Sequence, residues 1–187
     1  MRKKLRLFIA VNLPERIKDQ IEREIEAIRY KFTNDIRFLD RRNWHLTLIF
    51  FGYQPPEAMP AIVSAIEEAI KSTSFSEMVF DKLDYGPAGK PPKMIWLNGN
   101  KKTSASLNKL IEFLSKNLSD RNIIYKREHR LFHAHITLAR FDSAKDLPDI
   151  AKETNFAFQP SSVELMESRL SRSGAEYDLL QSVKFQL

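Results

Sequence analysis

The sequence predicts an α+β protein built largely on antiparallel sheet. Strand-like runs come in adjacent groups between a few helices, instead of alternating with them one for one. Only three stretches carry helical periodicity. One small polar phrase, His-x-Thr-Leu, is written twice, in "HLTLIFFG" (45–52) and "HITLARF" (135–141), both times inside apolar sequence that reads as a buried strand.

The elements follow in order. "LRLFIAV" (5–11) is a first strand; its apolar run, Leu7 to Val11, is too short for a secretion signal and is interrupted by Asn12, Pro14 and Glu15. Pro14 suits the first turn of a helix, and Ile17, Ile21, Ile25, Ile28 and Phe32 form one apolar stripe at helical spacing. "IRFL" (36–39) is a short strand, and "NWHLTLIFFG" (43–52) a strand stopped by Gly52 and the Pro55–Pro56 pair. Ile62, Ala65, Ile66, Ala69 and Ile70 mark a second helix. "FSEMVFDKLDYG" (75–86) is a strand with broken alternation, "GPAGKPP" (86–92) a loop suited to mobility, and "KMIWLNG" (93–99) another strand. Leu107, Leu110, Ile111, Leu114 and Leu118 give the third helix. "HAHITLARF" (133–141) is a strand, and "SVELMESRLS" (162–171) with "YDLLQSVKFQL" (177–187) is a closing hairpin whose turn, at Gly174, is longer than two residues. Each half thus holds a long helix and one His-x-Thr strand, the two histidines 90 positions apart.

The chain of 187 residues suits one compact domain or two small lobes sharing a core. There is no cysteine, which removes disulfides, thiolate metal sites and cysteine nucleophiles, and fits a reducing compartment such as the cytoplasm. No stretch approaches the length of a membrane span. Net charge is +6, which suits an anionic partner. Arg2, Lys3, Lys4 and Arg6 open the chain, Arg41 and Arg42 precede the first motif, and Lys126, Arg127 and Arg130 precede the second. That placement tilts the expectation toward a phosphate-bearing ligand.

Side chains alternate faces along a strand, so His45 shares a face with Thr47, and His135 with Thr137, while the leucines and Ile136 between them anchor the strand in a core. Residue frequencies give two such matches among four histidines, each followed by Leu, in well under about one chain in a hundred. Brought together, the strands would line a cleft with two imidazoles and two hydroxyls. That set suits displacement at phosphorus without a metal. One neutral imidazole accepts the proton of the incoming oxygen, a second, charged one protonates the leaving oxygen, and hydroxyls hold the non-bridging oxygens. A zinc site would need a third ligand at short spacing, and Asp40 and Asp142 fall outside the strand pattern. His129 and His133 read as bystanders, His133 at most edging the cleft. Trp44, Tyr53, Tyr85 and Trp96 could stack on a base, although core packing is the ordinary role of each.

These residues resemble the two-histidine phosphoesterases, and within them the LigT-like RNA 2',3'-cyclic phosphodiesterases, also called 2'-5' RNA ligases. The stretches that carry the resemblance are "RLFIAVNLP" (6–14), "NWHLTLIFFG" (43–52), "MIWLNG" (94–99), "HITLAR" (135–140) and "ELMESRLSRSGAEYDLL" (164–180), spanning nearly the whole length. The resemblance implies a bilobal fold, two antiparallel sheets facing a central cleft with one motif per lobe and helices on the outside. It implies a single two-lobed domain over 1–187 and metal-independent hydrolysis of RNA or nucleotide 2',3'-cyclic phosphate ends to 2'-phosphates with no cofactor; a monomer is the default expectation. On this chain His45 would protonate the departing 3' oxygen and His135 would activate water, roles the residues themselves do not distinguish. Thr47 and Thr137 would hold phosphate oxygens, and Arg140 would add a charged contact. Arg140 lies five residues after His135, so a flat strand would aim it away; a bend, bulge or strand end near Ala139 would be needed to bring it round. Ala134 stands where the family commonly has proline. Ligation of cyclic-phosphate and 5'-hydroxyl RNA ends, or RNA binding without chemistry, are the alternative functions.

Overall fold

The computed structural model describes residues 4–32, 36–73, 77–128, 130–142, 145–171 and 174–185. Arg2, Lys3 and His129, singled out above, lie outside them. Nine strands and three α-helices occur in the order β1 (Leu5–Asn12), α1 (Glu15–Arg29), β2 (Ile36–Phe38), β3 (His45–Gln54), α2 (Met59–Lys71), β4 (Met78–Gly86), β5 (Met94–Gly99), α3 (Lys101–Asp120), β6 (His135–Phe141), β7 (Lys152–Phe158), β8 (Ser162–Ser171) and β9 (Gly174–Lys184) among the described residues. They form two sheets, β3-β1-β8-β9 and β2-β6-β5-β4-β7, with every pairing antiparallel. The α+β expectation holds, with one His-x-Thr strand in each sheet. Among the described residues no helix is long and apolar enough to cross a membrane.

Each helix forms because one stripe of it is apolar. Ile17, Ile21, Ile25 and Ile28 of α1 are buried, as are Ile62, Ala65, Ile66, Ala69 and Ile70 of α2 and Leu107, Leu110, Leu114 and Leu118 of α3. Helix α1 stops at Arg29, so Phe32 packs on the core from outside it, edge-on to Phe38 at 5.8 Å. These stripes join the outward faces of both sheets in one contiguous core that includes Leu7, Ile9, Leu46, Leu48, Ile136 and Leu138. Strand β1, central in its sheet, is buried from Leu7 to Val11 on both faces. Its other face adds a small separate cluster, Phe8 and Ala10 with Met166.

Three sequence expectations are corrected. Strand β3 does not stop at Gly52 but runs on to Gln54. Phe51 is an extra residue between the pairs Leu7–Gly52 and Phe8–Phe50, and Gly52 absorbs the bulge at φ 72°, with open space where a Cβ would sit. Strand β7 has no counterpart among the expected elements; its polar half, Lys152 to Asn155, hides the pattern, and Phe156 and Phe158 alone are buried. The closing hairpin is tighter than expected, since pairing continues to Ser171–Gly174 and leaves two positions between, both outside the described residues. The broken alternation of β4 has a matching cause, a register shift between Phe80 and Lys82.

Candidate active site

The two motif strands meet across the gap between the sheets. A cavity of about 280 Å³ is lined by His45, Thr47 and Phe50 from β3 and by His135, Thr137 and Arg140 from β6. Strand β1 adds Arg6 and Phe8, β8 adds Ser168, β9 adds Tyr177, and the turn before β3 adds Leu39 and Asn43. All five residues assigned from sequence are therefore in one place.

Both imidazoles are held by the same device. Nδ1 of His45 is 2.7 Å from the carbonyl oxygen of Asn43, and Nδ1 of His135 is 2.8 Å from that of His133. A carbonyl only accepts, so each Nδ1 carries a hydrogen and donates. In the neutral ring Nε2 is then the free base. The Thr47 hydroxyl lies 3.0 Å from His45 Nε2 and donates to it when the ring is neutral. The rings differ in what covers them. Phe8 and Tyr177 flank His45, at 5.0 and 4.8 Å between centroids. The Trp96 indole stacks on His135 at 3.9 Å. Gly86 makes that stack possible, because a Cβ there would come within 2.2 Å of the Trp96 ring.

Burial dominates the electrostatics. Desolvation pushes the pKa of His45 down to about 4; the bond to Asn43 opposes this, and the positive charges of Arg140 and His135 add to it. His135 is also lowered, first by desolvation, then by the charges of His133, Arg130 and Arg140, against the raising effect of the His133 carbonyl. Arg140 acts on both histidines, as one guanidinium beside a shared site must. An anion bound there would oppose these shifts.

Of the bend, bulge or strand end that Arg140 called for, the structure has the bulge. Ile95 pairs with Ala139 and Trp96 with Thr137, leaving Leu138 extra, so Leu138 and Ala139 both face the core and Arg140 returns to the cleft side. Strand β3 does the same three residues after its histidine: Ile9 pairs with Ile49 and Ala10 with Thr47, Leu48 is extra, and Phe50 turns to the cavity. Parity alone would aim Phe50 away from His45; only the recurrence of the motif, with Arg140 at the same offset, could have pointed to it. Phe8 and Tyr177 had no such signal, since they reach the site only through sheet pairing.

The other sequence candidates fall away from the cavity. Trp44 is buried and its Nε1 donates to the Leu39 carbonyl, and Tyr85 donates to the Pro148 carbonyl. Tyr53 is exposed but does not line the cavity. Trp96 positions His135, and His133 contributes its carbonyl while its own Nε2 lies 3.0 Å from Asn98 Oδ1. Of the basic residues grouped ahead of the motifs, Arg6 alone among those described lines the site. Arg41 is taken by Glu15, Asp19 and Glu22, with N–O distances of 2.6 to 2.9 Å, and Arg42 by Asp40. Those two arginines fasten the turn before β3 instead of meeting a phosphate. Among the described residues no group of three or more His, Cys, Asp or Glu could hold a metal ion.

Two imidazoles tethered through Nδ1, two hydroxyls and a guanidinium, presented by two facing antiparallel sheets, define a LigT-like two-histidine site. The chain belongs to the 2'-5' RNA ligase superfamily, whose family model matches residues 17–173. It is 26% identical over 189 aligned residues to a Methanocaldococcus jannaschii protein named RNA 2',3'-cyclic phosphodiesterase, covering 95% of this chain and 99% of that protein. The fold is shared with TT0787 of Thermus thermophilus, at a TM-score of 0.79, 20% identity and coverage of 97% of this chain and 98% of that one. It is shared too with E. coli LigT complexed with 3'-AMP, at a TM-score of 0.77, 24% identity and coverage of 99% and 100%.

Proposed function

We propose that the protein hydrolyses RNA 2',3'-cyclic phosphate ends to 2'-phosphate ends, without a metal, by paired histidine acid–base catalysis. The observation that carries this reading is the shared tether: both Nδ1 atoms are fixed by a carbonyl two residues upstream, and both rings line one cavity with Arg140. The named activity of the Methanocaldococcus jannaschii relative supports the substrate.

Water attacks phosphorus while His135 Nε2 takes its proton. The bond from phosphorus to the 3' oxygen breaks, and that oxygen takes a proton from His45 Nε2. The pentacovalent charge falls on the non-bridging oxygens, beside Arg140 and the hydroxyls of Thr47 and Thr137. Thr47 suits both halves of the cycle. Its oxygen accepts from a protonated His45 and is then free to donate its own hydrogen to phosphate. Solvent exchange restores both imidazoles. The same proposal takes residues 1–187 as one two-lobed domain acting as a cytoplasmic monomer. Both histidines come from one chain, so the site needs no second copy.

The test is a product assay on a 2',3'-cyclic nucleotide with a chelator present. A 2'-phosphate product at undiminished rate is expected. A 3'-phosphate product, or loss of turnover with the chelator, overturns it. Adding an RNA with a 5'-hydroxyl end measures ligation in the same tube, where water should win by abundance.

A further inference from the structure

Arg37 of β2 stands directly opposite Arg140 of β6 in the antiparallel pairing. Like charges facing each other across a strand pair repel, and a carboxylate between them is the ordinary remedy. Here there is none. Among the described residues no acidic side chain pairs with either guanidinium, and Arg140 makes one contact of note, Nη1 to Met94 Sδ at 3.5 Å. Asp142 stands on the same wall and pairs with neither. The two arginines line a second, open cavity of about 510 Å³ together with Ile36, Phe141 and Asp142. Arg140 lines the catalytic cavity as well, so it is the common wall of the two. From the opposite sheet, the start of β9 backs the guanidinium of Arg37: a Cβ on Gly174 would lie 3.2 Å from its Nη1. Nearby, Asn43 donates to the Ala175 carbonyl at 3.2 Å, which ties the same hairpin to the turn before the first motif.

A cation pair with no acidic partner among the described residues, beside the proposed phosphate site, is built for a second phosphate. We propose that Arg37, with Arg140, binds the phosphodiester one nucleotide upstream of the cyclic end, so that the enzyme favours an RNA terminus over a free cyclic nucleotide. This rests on the phosphodiesterase reading and deepens it. A cyclic mononucleotide has nothing to place in the second cavity. An oligonucleotide carries its next negative charge on the linkage 5' to the terminal nucleoside, and filling the cavity with it relieves the arginine repulsion that the empty site carries.

The experiment compares kcat/KM on three substrates: a 2',3'-cyclic mononucleotide, a short RNA with that end, and the same RNA with an uncharged methylphosphonate at the last linkage. The wild type should prefer the charged RNA about tenfold, one contact's worth of binding. Arg37→Gln should abolish the preference through KM and leave the mononucleotide unchanged. The methylphosphonate should cost the wild type the same factor and cost Arg37→Gln nothing, a coupling that a merely structural arginine would not show. The salt dependence of kcat/KM on the charged RNA should flatten by about 0.7 in log–log slope, one phosphate contact on a single strand. Equal loss on all three substrates, no loss on the RNA, or losses that multiply overturn the subsite while the phosphodiesterase reading stands. A wild type inert on every substrate overturns both.

Discussion

Strands β3 and β6 share a phrase and a bulge, and they part company at the fifth residue. In both, the histidine and threonine face the cleft, an extra leucine shifts the register, and the side chain five places on returns to the cleft side. In β6 that side chain is Arg140, in β3 it is Phe50. The neighbours differ in the same sense. His45 sits among Phe8, Tyr177 and the Thr47 hydroxyl, while His135 lies on Trp96 beside Arg140. One backbone device has been used twice, once to present an aromatic ring, with Arg6 lying over it, and once to present a charge directly. A symmetric pair of sites would bind a phosphate equally from both sides. Under the proposed function this pair sets Arg140 on one side of the anion and, on the other, the Phe50 ring with the Arg6 guanidinium 4.8 Å over it.

The largest effect expected from breaking the comparison is on the histidines. His45→Ala and His135→Ala should each lower kcat on a cyclic nucleotide by at least about a hundredfold. The double variant should be little worse than either, because an acid and a base that serve one transition state act as a unit. Near-full activity in either single variant, assayed by product formation, contradicts the shared role. Next comes the fifth position. Arg140→Met should cost about a hundredfold in kcat/KM, the scale for losing a donor to a developing oxyanion. Phe50→Leu should cost only several-fold and through KM, since it removes apolar contact and no charge. Equal losses at the two positions would mean the strands are not functionally distinct.

Smaller effects sharpen the difference between the two rings. Gly86→Ala drives a methyl group into Trp96 and tilts the surface on which His135 lies. It should lower kcat about tenfold with a modest fall in melting temperature, because misplacing a catalytic group by a fraction of an ångström is costly. The smallest effect is thermodynamic. The folded pKa of His45, about 4, lies below its unfolded value near 6.5. Between those values the unfolded chain binds more protons, so stability falls as pH drops through that window. His45→Gln should flatten this acid limb in thermal melts of the ligand-free protein; an unchanged limb would place the titration elsewhere.

Much of this was legible in sequence because both strands lie on a core. Alternation of polar and buried residues put His45 with Thr47 and His135 with Thr137, and the parity conflict at Arg140 called for a local irregularity, which the register contains as a bulge. The three helices were readable from stripes of isoleucine and leucine. What escaped is what depends on pairing between distant strands. Tyr177 reaches the cavity because β9 pairs with β8, and Arg37 meets Arg140 because β2 adds to the edge of the second sheet beside β6. Basic residues near a motif in sequence proved a poor guide. Arg41 is consumed by three carboxylates of α1, a partnership 19 to 26 residues away that no local pattern announces.

The pH dependence of turnover tests the central claim most directly. If one imidazole must donate and the other accept, kcat/KM should be bell-shaped, with both limbs of the free enzyme below about 6.5 because burial and Arg140 lower both rings. The kcat profile should lie at higher pH, since bound phosphate favours the charged imidazoles. A rate that rises to a single plateau, or a kcat profile displaced toward acid, would contradict a paired acid and base at one phosphorus.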